Sequence, residues 1–169
     1  MTDRSVDLAP GERKRAPWLP PRWFVRAAWI AHRAIYRLTG GRRGLSAPKP
    51  GGSFGHLRLR TVGRRSGKER AVMLGYFEDG PNLVTLAMNG WTDGQPAWWL
   101  NLQAHPDAGV DLKDGIRAVR GRTAQGEERA RLWARAQEYS GWGDDINAFA
   151  TRRPSGTSVV ILEPRPAAG

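Results

Sequence analysis

From His56 the chain reads with a period of two. Leu57, Leu59 and Thr61 alternate with Arg58 and Arg60 up to Val62, the signature of a half-buried strand. Gly63 to Lys68 is a turn, and Arg70 to Glu78 (Ala-Val-Met-Leu-Gly-Tyr-Phe inside) returns as a second strand. Asp79-Gly80-Pro81-Asn82 closes a hairpin into a third strand, Leu83 to Met88. Asn89 to Gln95 is a polar, Gly-containing loop. Pro96, tolerated in a first helical turn because it lacks only a donor that would be orphaned there, opens a short helix from Ala97 to Ala104, and Pro106 ends it. Gly109–Lys113 and Ile116–Thr123 pair through Asp114-Gly115. Glu127 to Tyr139 reads as a helix with its acids at the start, Gly141 to Gly156 as a long irregular connection, and Thr157 to Glu163 as a last apolar strand.

Upstream the period is helical. Between Arg22 and Thr39, stopped by Gly40-Gly41, Arg22, Arg26, Arg33 and Arg37 fall within a sector about 60° wide at ~100° per residue, with Phe24, Ala31, Ile35 and Leu38 opposite. Trp23, Ile30, Trp29 and Tyr36 flank the arginines. Such a helix either caps a soluble core, its arginines solvated over snorkelling stems, or lies on an anionic membrane surface.

Six short, mostly antiparallel strands with few helices imply a mainly β, α+β domain, a small barrel or sandwich. No strand–helix alternation with a Gly-rich phosphate turn is present, which excludes a Rossmann domain. The 169 residues suit one domain over 22–164, preceded by a flexible basic tail (1–21) and followed by a short one (165–169). With no Cys, disulfides, thiolate nucleophiles and cysteine zinc sites are excluded together, and three scattered histidines (His32, His56, His105) argue against a metal centre. The net charge of +11 is uneven: residues 1–60 hold 13 Lys and Arg against 3 Asp and Glu, and the remainder is nearly balanced. One cationic region facing an anionic surface or ligand fits that distribution better than general nucleic-acid binding, so no nucleic-acid partner is expected. No secretory signal or spanning segment is read, and the expected location is cytoplasmic, peripheral at the inner membrane face if the 22–39 helix binds lipid.

Chemistry concentrates in two stretches. Thr61-Val62-Gly63-Arg64-Arg65-Ser66-Gly67-Lys68-Glu69-Arg70 crowds four cations and a hydroxyl around two glycines, offering guanidinium forks and backbone N–H groups to phosphate or carboxylates, although a solvated charged hairpin would look similar. Gln95-Pro96-Ala97-Trp98-Trp99-Leu100-Asn101-Leu102 places Trp98 and Asn101 three apart on one helical face, a flat surface beside an amide that suits a planar heterocycle. For two adjacent tryptophans, at least one belongs to the core. No Gly-x-Ser-x-Gly elbow or His-based triad is present, and Asp144-Asp145 reads as a loop or cap. If the chain is an enzyme, the reactive atom belongs to a cofactor.

These stretches resemble the deazaflavin (F420)-dependent nitroreductase family. The resemblance is carried by Leu59-Arg60-Thr61-x-Gly63-Arg64-Arg65-Ser66-Gly67-Lys68-x-Arg70 and by Gln95-Pro96-Ala97-Trp98-Trp99-Leu100-Asn101-Leu102-x-Ala104-His105-Pro106. Tyr36 to Arg42, Glu127 to Ala130 with Trp133, and the closing Val159 to Pro164 add to it, so that it spans roughly Arg22 to Pro164.

The resemblance implies a split β-barrel of the FMN-binding type and coenzyme F420 as cofactor, an 8-hydroxy-5-deazaflavin whose tail bears a phosphodiester and an oligoglutamate; FMN is the alternative. It implies hydride transfer between deazaflavin C5 and a small hydrophobic acceptor (a quinone, enone or nitro compound). Arg64, Arg65 and Arg70, with Ser66, Gly67 and Lys68 of the same turn, would hold the tail. Met73, Leu74 and Gly75 and the segment Leu86, Ala87, Met88 would line the ring plane, and Trp98 and Asn101 would contact the cofactor. Family members carry tyrosines at the position of Gly75 and in the loop before the last strand, where this chain has none beyond Tyr139. Tyr76 or Tyr139 is therefore the expected proton donor, and Trp142 and Phe149 the expected walls of the acceptor pocket. The missing tyrosines also leave open a non-catalytic or divergent protein that holds a cofactor or lipid. Split barrels suggest a homodimer by analogy.

Overall fold

The computed structural model of the chain describes residues 44–143 and 145–166. The helix expected over 22–39 and the tail over 1–21 lie outside the described residues. Six strands form a closed barrel in the order β1-β2-β3-β6-β5-β4, every neighbouring pair antiparallel. They are β1 (Gly55–Val62), β2 (Glu69–Asp79), β3 (Asn82–Ala87), β4 (Asp107–Leu112), β5 (Gly115–Thr123) and β6 (Ser158–Pro164). All six expected strands are present, shifted by at most two residues at each end.

Period-two alternation sorts side chains to two faces. Leu57 lies opposite Leu74 and Leu59 opposite Val72, and this inward set packs with Leu83, Val110, Val119, Val160 and Leu162. Helix α1 (Ala97–Ala104) adds Trp98, Trp99 and Leu102 to the same core. Leu102 presses so closely on Gly121 of β5 that a Cβ there would have no room. Burying three side chains of this size contributes several kcal/mol at ~25 cal/mol per Å², and it fixes α1 on the barrel despite a helix only two turns long.

The outward residues Phe77, Val84, Leu86, Val159 and Ile161 form a second core. It is covered by Leu132 and Ala136 of α2 (Gly126–Ala136) and by Ile146 and Phe149 of α3 (Ile146–Ala150). Two expectations change here. The helix expected to reach Tyr139 stops at Ala136, because the chain turns Tyr139 inward to stack on Phe77 with ring centroids 5.3 Å apart. The connection expected to be irregular contains α3, capped by Asp145, whose carboxylate accepts from the Ala148 N–H at 2.9 Å. Five residues are too few for a helical period to be read.

The loop from β3 to α1 is irregular and firmly held. Asn89, Gly90 and Trp91 all take positive φ, an uncommon conformation for an indole side chain. Trp91 donates its Nε1–H to the Trp142 carbonyl at 2.6 Å and stacks on Phe149. Arg153, only 3 % exposed, donates to the carbonyls of Ala87, Thr92 and Gly94 at 2.7–2.9 Å and to Thr157 Oγ1 at 2.8 Å. That guanidinium sets where the loop delivers Pro96 and the start of α1. Pro96 itself stands one residue before the helix, as its N-cap.

Candidate functional site

Between β1 and β2 the chain reverses through Gly63–Lys68. The Gly63 N–H donates to the Lys68 carbonyl at 2.8 Å, and the Ser66 and Gly67 N–H groups donate to the Gly63 carbonyl. A Cβ on Gly63 would fall 2.8 Å from Ser66 Oγ, and Gly67 takes φ +64°, so both glycines are required by the turn itself. The Arg64 N–H donates to Asn101 Oδ1 of α1 at 3.1 Å. These amides are thus consumed within the protein. The expectation that the turn offers its backbone N–H groups to an anion is narrowed: those of Gly63, Arg64, Ser66 and Gly67 are taken, and the side chains are its main offer.

Turn, strand and helix enclose a cleft of about 560 Å³. Its lining joins Thr61 of β1, Gly63 and Arg64–Ser66 of the turn, Glu69–Val72 of β2, and Ala97, Trp98 and Asn101 of α1. Trp98 and Asn101 are 9 % and 6 % exposed, so each presents only an edge to the cleft from a packed position. Asn101 acts as a suture. Besides the Arg64 N–H, its oxygen lies 3.5 Å from Arg64 Nη1, and its Nδ2 lies 3.5 Å from Thr61 Oγ1.

The charges divide sharply. Among the described residues, eight arginines outside the cleft form ion pairs: Arg58, Arg60, Arg117, Arg120, Arg122, Arg131, Arg135 and Arg165. Arg64, Arg65, Lys68 and Arg70 are exposed, and none has a carboxylate within ion-pair distance among the described residues. Four like charges with one carboxylate, Glu69, near them and not paired to any repel one another, a cost that an incoming polyanion reduces.

Of the residues singled out from sequence, Arg64, Arg65, Ser66, Arg70, Trp98 and Asn101 meet at the cleft, with Gly67 and Lys68 in its turn. The ring-plane segments do not gather there, because consecutive residues of a strand face opposite ways. Leu74 and Ala87 point into the barrel, while Met73 and Gly75 are on the outer face and Leu86 and Met88 pack with the second core. Gly75 lies beneath the Phe54 and Trp142 rings, where a Cβ would fall 2.8 Å from Phe54 and 2.9 Å from Trp142 Nε1.

The structure brings none of Tyr76, Tyr139, Trp142 and Phe149 to the cleft. Tyr76 is buried inside the barrel, and that burial pushes its phenol up to about 12, with the Glu78 carboxylate adding to the shift. Tyr139 and Trp142 pack around Phe77, and Phe149 stacks on Trp91 at 5.5 Å. Among the described residues no group of three His, Cys, Asp or Glu could hold a metal ion. Sequence reasoning missed Thr61, Gly63, Glu69, Ala71, Val72 and Ala97 as lining residues. The inward position of Thr61 in the β1 alternation carried that signal; for Glu69 nothing did.

Over residues 29–164 the chain matches the family model described as F420H(2)-dependent quinone reductase. It belongs to that family. An F420H(2)-dependent quinone reductase of Mycobacterium tuberculosis is 32 % identical over 150 residues, covering 85 % of this chain and 97 % of the relative. A solved F420-H2 dependent reductase (FDR-A) is 27 % identical with a TM-score of 0.58, covering 70 % of this chain and 96 % of that one. A second solved chain, described as a domain-swapped dimer, is 25 % identical with a TM-score of 0.60 over 82 % of this chain and 99 % of its own length.

Membership makes this F420H(2)-dependent quinone reductase family chain an oxidoreductase with a split-barrel fold and coenzyme F420 as its cofactor. The cleft fits that cofactor on its own chemistry. One phosphate would need about two guanidiniums for bidentate contact; four unpaired cations match a tail with several negative charges better than the single phosphate of FMN.

Proposed function

We propose that the protein transfers a hydride from reduced coenzyme F420 to a quinone, with enones and nitro compounds as further hydrophobic acceptors. The observation that carries this reading is the set Arg64, Arg65, Lys68 and Arg70, without carboxylate partners among the described residues, beside a cleft walled by Trp98. The coenzyme, when bound, supplies the hydride at C5; the protein's work is binding and placement. Arg64, Arg65 and Arg70 neutralise the phosphodiester and glutamates, and Lys68 adds a point charge from the turn. Trp98 gives a flat apolar wall. Asn101 keeps Arg64 in register with α1, so cation and indole stay at fixed separation, the preorganisation that productive placement requires.

Reducing a quinone to a quinol also takes a proton. Tyr76 holds its proton far above neutral pH, so it can donate but cannot act as a base. Among the described residues neither Tyr76 nor Tyr139 lines the cleft, so this reading takes the proton from solvent. We include in the proposal a cytoplasmic location with residues 22–39 resting on the anionic inner membrane face, supported by the arginine stripe read in the sequence and by the lipid solubility of quinones. No described helix is long and apolar enough to cross a membrane. A homodimer completes it, supported by the relative described as a domain-swapped dimer.

Titration with coenzyme F420 tests the core of the proposal. Binding should quench tryptophan fluorescence, because Trp98 borders the cleft. The double substitution Arg64→Ala with Arg65→Ala should weaken it at least tenfold, since each charged hydrogen bond contributes about 1.5–3 kcal/mol. No measurable binding at tens of micromolar, a range where even modest anionic contacts register, would sink the proposal.

A further inference from the structure

Glu69 is the anomaly of the cleft. It opens β2 between Lys68 and Arg70, is exposed, and shares the lining with Arg64, Arg65 and Arg70. A carboxylate there to neutralise a neighbouring guanidinium would touch it, as Asp79 touches Arg131 at 2.8 Å and Glu128 touches Arg122 at 2.6 Å. Glu69 makes no such pair and no side-chain hydrogen bond among the described residues, although four cations lie within five residues of it. Glu69 is in register with Val62, on the strand face opposite Thr61 and Arg70, so its unpaired carboxylate stands at the edge of the cleft rather than among its guanidiniums.

We propose that Glu69 is a specificity residue that limits how much negative charge the cleft accepts, favouring a coenzyme tail with few glutamates over one with many. The inference rests on the coenzyme F420 reading above. The first anions of a tail find guanidiniums. Once these are matched, each further carboxylate meets Glu69 with no cation left to offset it. Two like charges roughly 7 Å apart in water shift a binding constant by about two- to threefold at low ionic strength. At about 0.5 M salt, where the screening length falls to roughly 4 Å, the effect disappears.

The test is a fluorescence titration of wild type, Glu69→Gln and Glu138→Gln with two coenzyme F420 preparations, one of short and one of long oligoglutamate tail. Glu138 is an exposed glutamate outside the cleft and serves as the control. In low salt, Glu69→Gln should bind the long-tailed coenzyme about five- to tenfold more tightly than wild type does, and the short-tailed one about twofold more tightly. Glu138→Gln should match wild type, and all differences should close in high salt. Equal gains for both tails, no gain, or a gain that persists in high salt overturns the role of Glu69. Binding with an unaltered tail preference sinks this inference alone, whereas a wild type that binds neither preparation takes the coenzyme reading down with it.

Discussion

Replacing Asn101 by leucine should damage the cleft more than it damages the barrel. The side chain is 6 % exposed and sits on the face of α1 that meets the turn, and leucine fills nearly the same volume without the amide. What is lost is the bond from the Arg64 N–H at 3.1 Å and the longer contacts to Arg64 Nη1 and Thr61 Oγ1, both 3.5 Å. Arg64 is exposed, so its freed N–H turns to water, and the cost in stability stays near one neutral hydrogen bond, about 1 kcal/mol. For a chain of this length that lowers Tm by about 2–4 °C.

The cost in coenzyme affinity is larger. An Arg64 released from α1 must be ordered again on binding, and its charged contact, about 1.5–3 kcal/mol, is largely forfeited, a tenfold loss or more. Asn101→Asp separates anchoring from charge. A carboxylate at that position would hold Arg64 as an ion pair and keep the turn in place, yet withdraw one cation from the ligand, so affinity should fall by as much or more. Fluorescence titration gives the affinities, and hydrogen exchange over residues 63–68 reports the turn. If Asn101→Leu accelerates exchange in the turn but binds the coenzyme within twofold of wild type, the claim that α1 positions the cations is refuted.

Three further outcomes follow from the same structure. The Tyr76 phenol, raised by burial from 10.0 to about 12, loses its proton more readily in the unfolded chain, so stability should decline between about pH 10 and 12, by an amount on the order of 2 kcal/mol; urea midpoints across that range should fall in wild type and much less in Tyr76→Phe. Arg153→Met leaves three carbonyls and a hydroxyl without their buried donor and should cost about 3 kcal/mol or more, read from urea unfolding, with the Trp91 loop the first region to lose exchange protection. Flotation with liposomes should carry the full chain with anionic vesicles and not with neutral ones, and replacing Arg22, Arg26, Arg33 and Arg37 by glutamine should abolish it, whereas flotation that ignores lipid charge would remove the membrane part of the proposal.

The amino-acid sequence alone determined the strands, because a period of two forces one set of residues to one side whatever the partner; Leu57, Leu59 and Thr61 could face only one way together. It also marked the cationic turn and the Pro96–Asn101 helix, since Gly63, Gly67 and Pro96 leave the backbone few alternatives there. The helix at 146–150 was not legible, being shorter than the window over which a helical repeat shows. The same alternation that revealed the strands defeats the ring-plane grouping: Leu74 and Ala87 cannot share a face with the residues on either side of them. Only the tertiary structure decided which charges remain unmatched and where the aromatics go. Arg58, Arg122, Arg131 and Arg135 find acids from other elements, 6 to 56 residues away in the chain, and among the described residues Arg64, Arg65, Lys68 and Arg70 do not. Likewise Tyr139, Trp142 and Phe149 pack into the second core because α2 and α3 fold back over the sheet. Ion pairing and core membership depend on distances between segments far apart along the chain, which no local pattern encodes, and it is those distances that leave the turn's cations for a ligand.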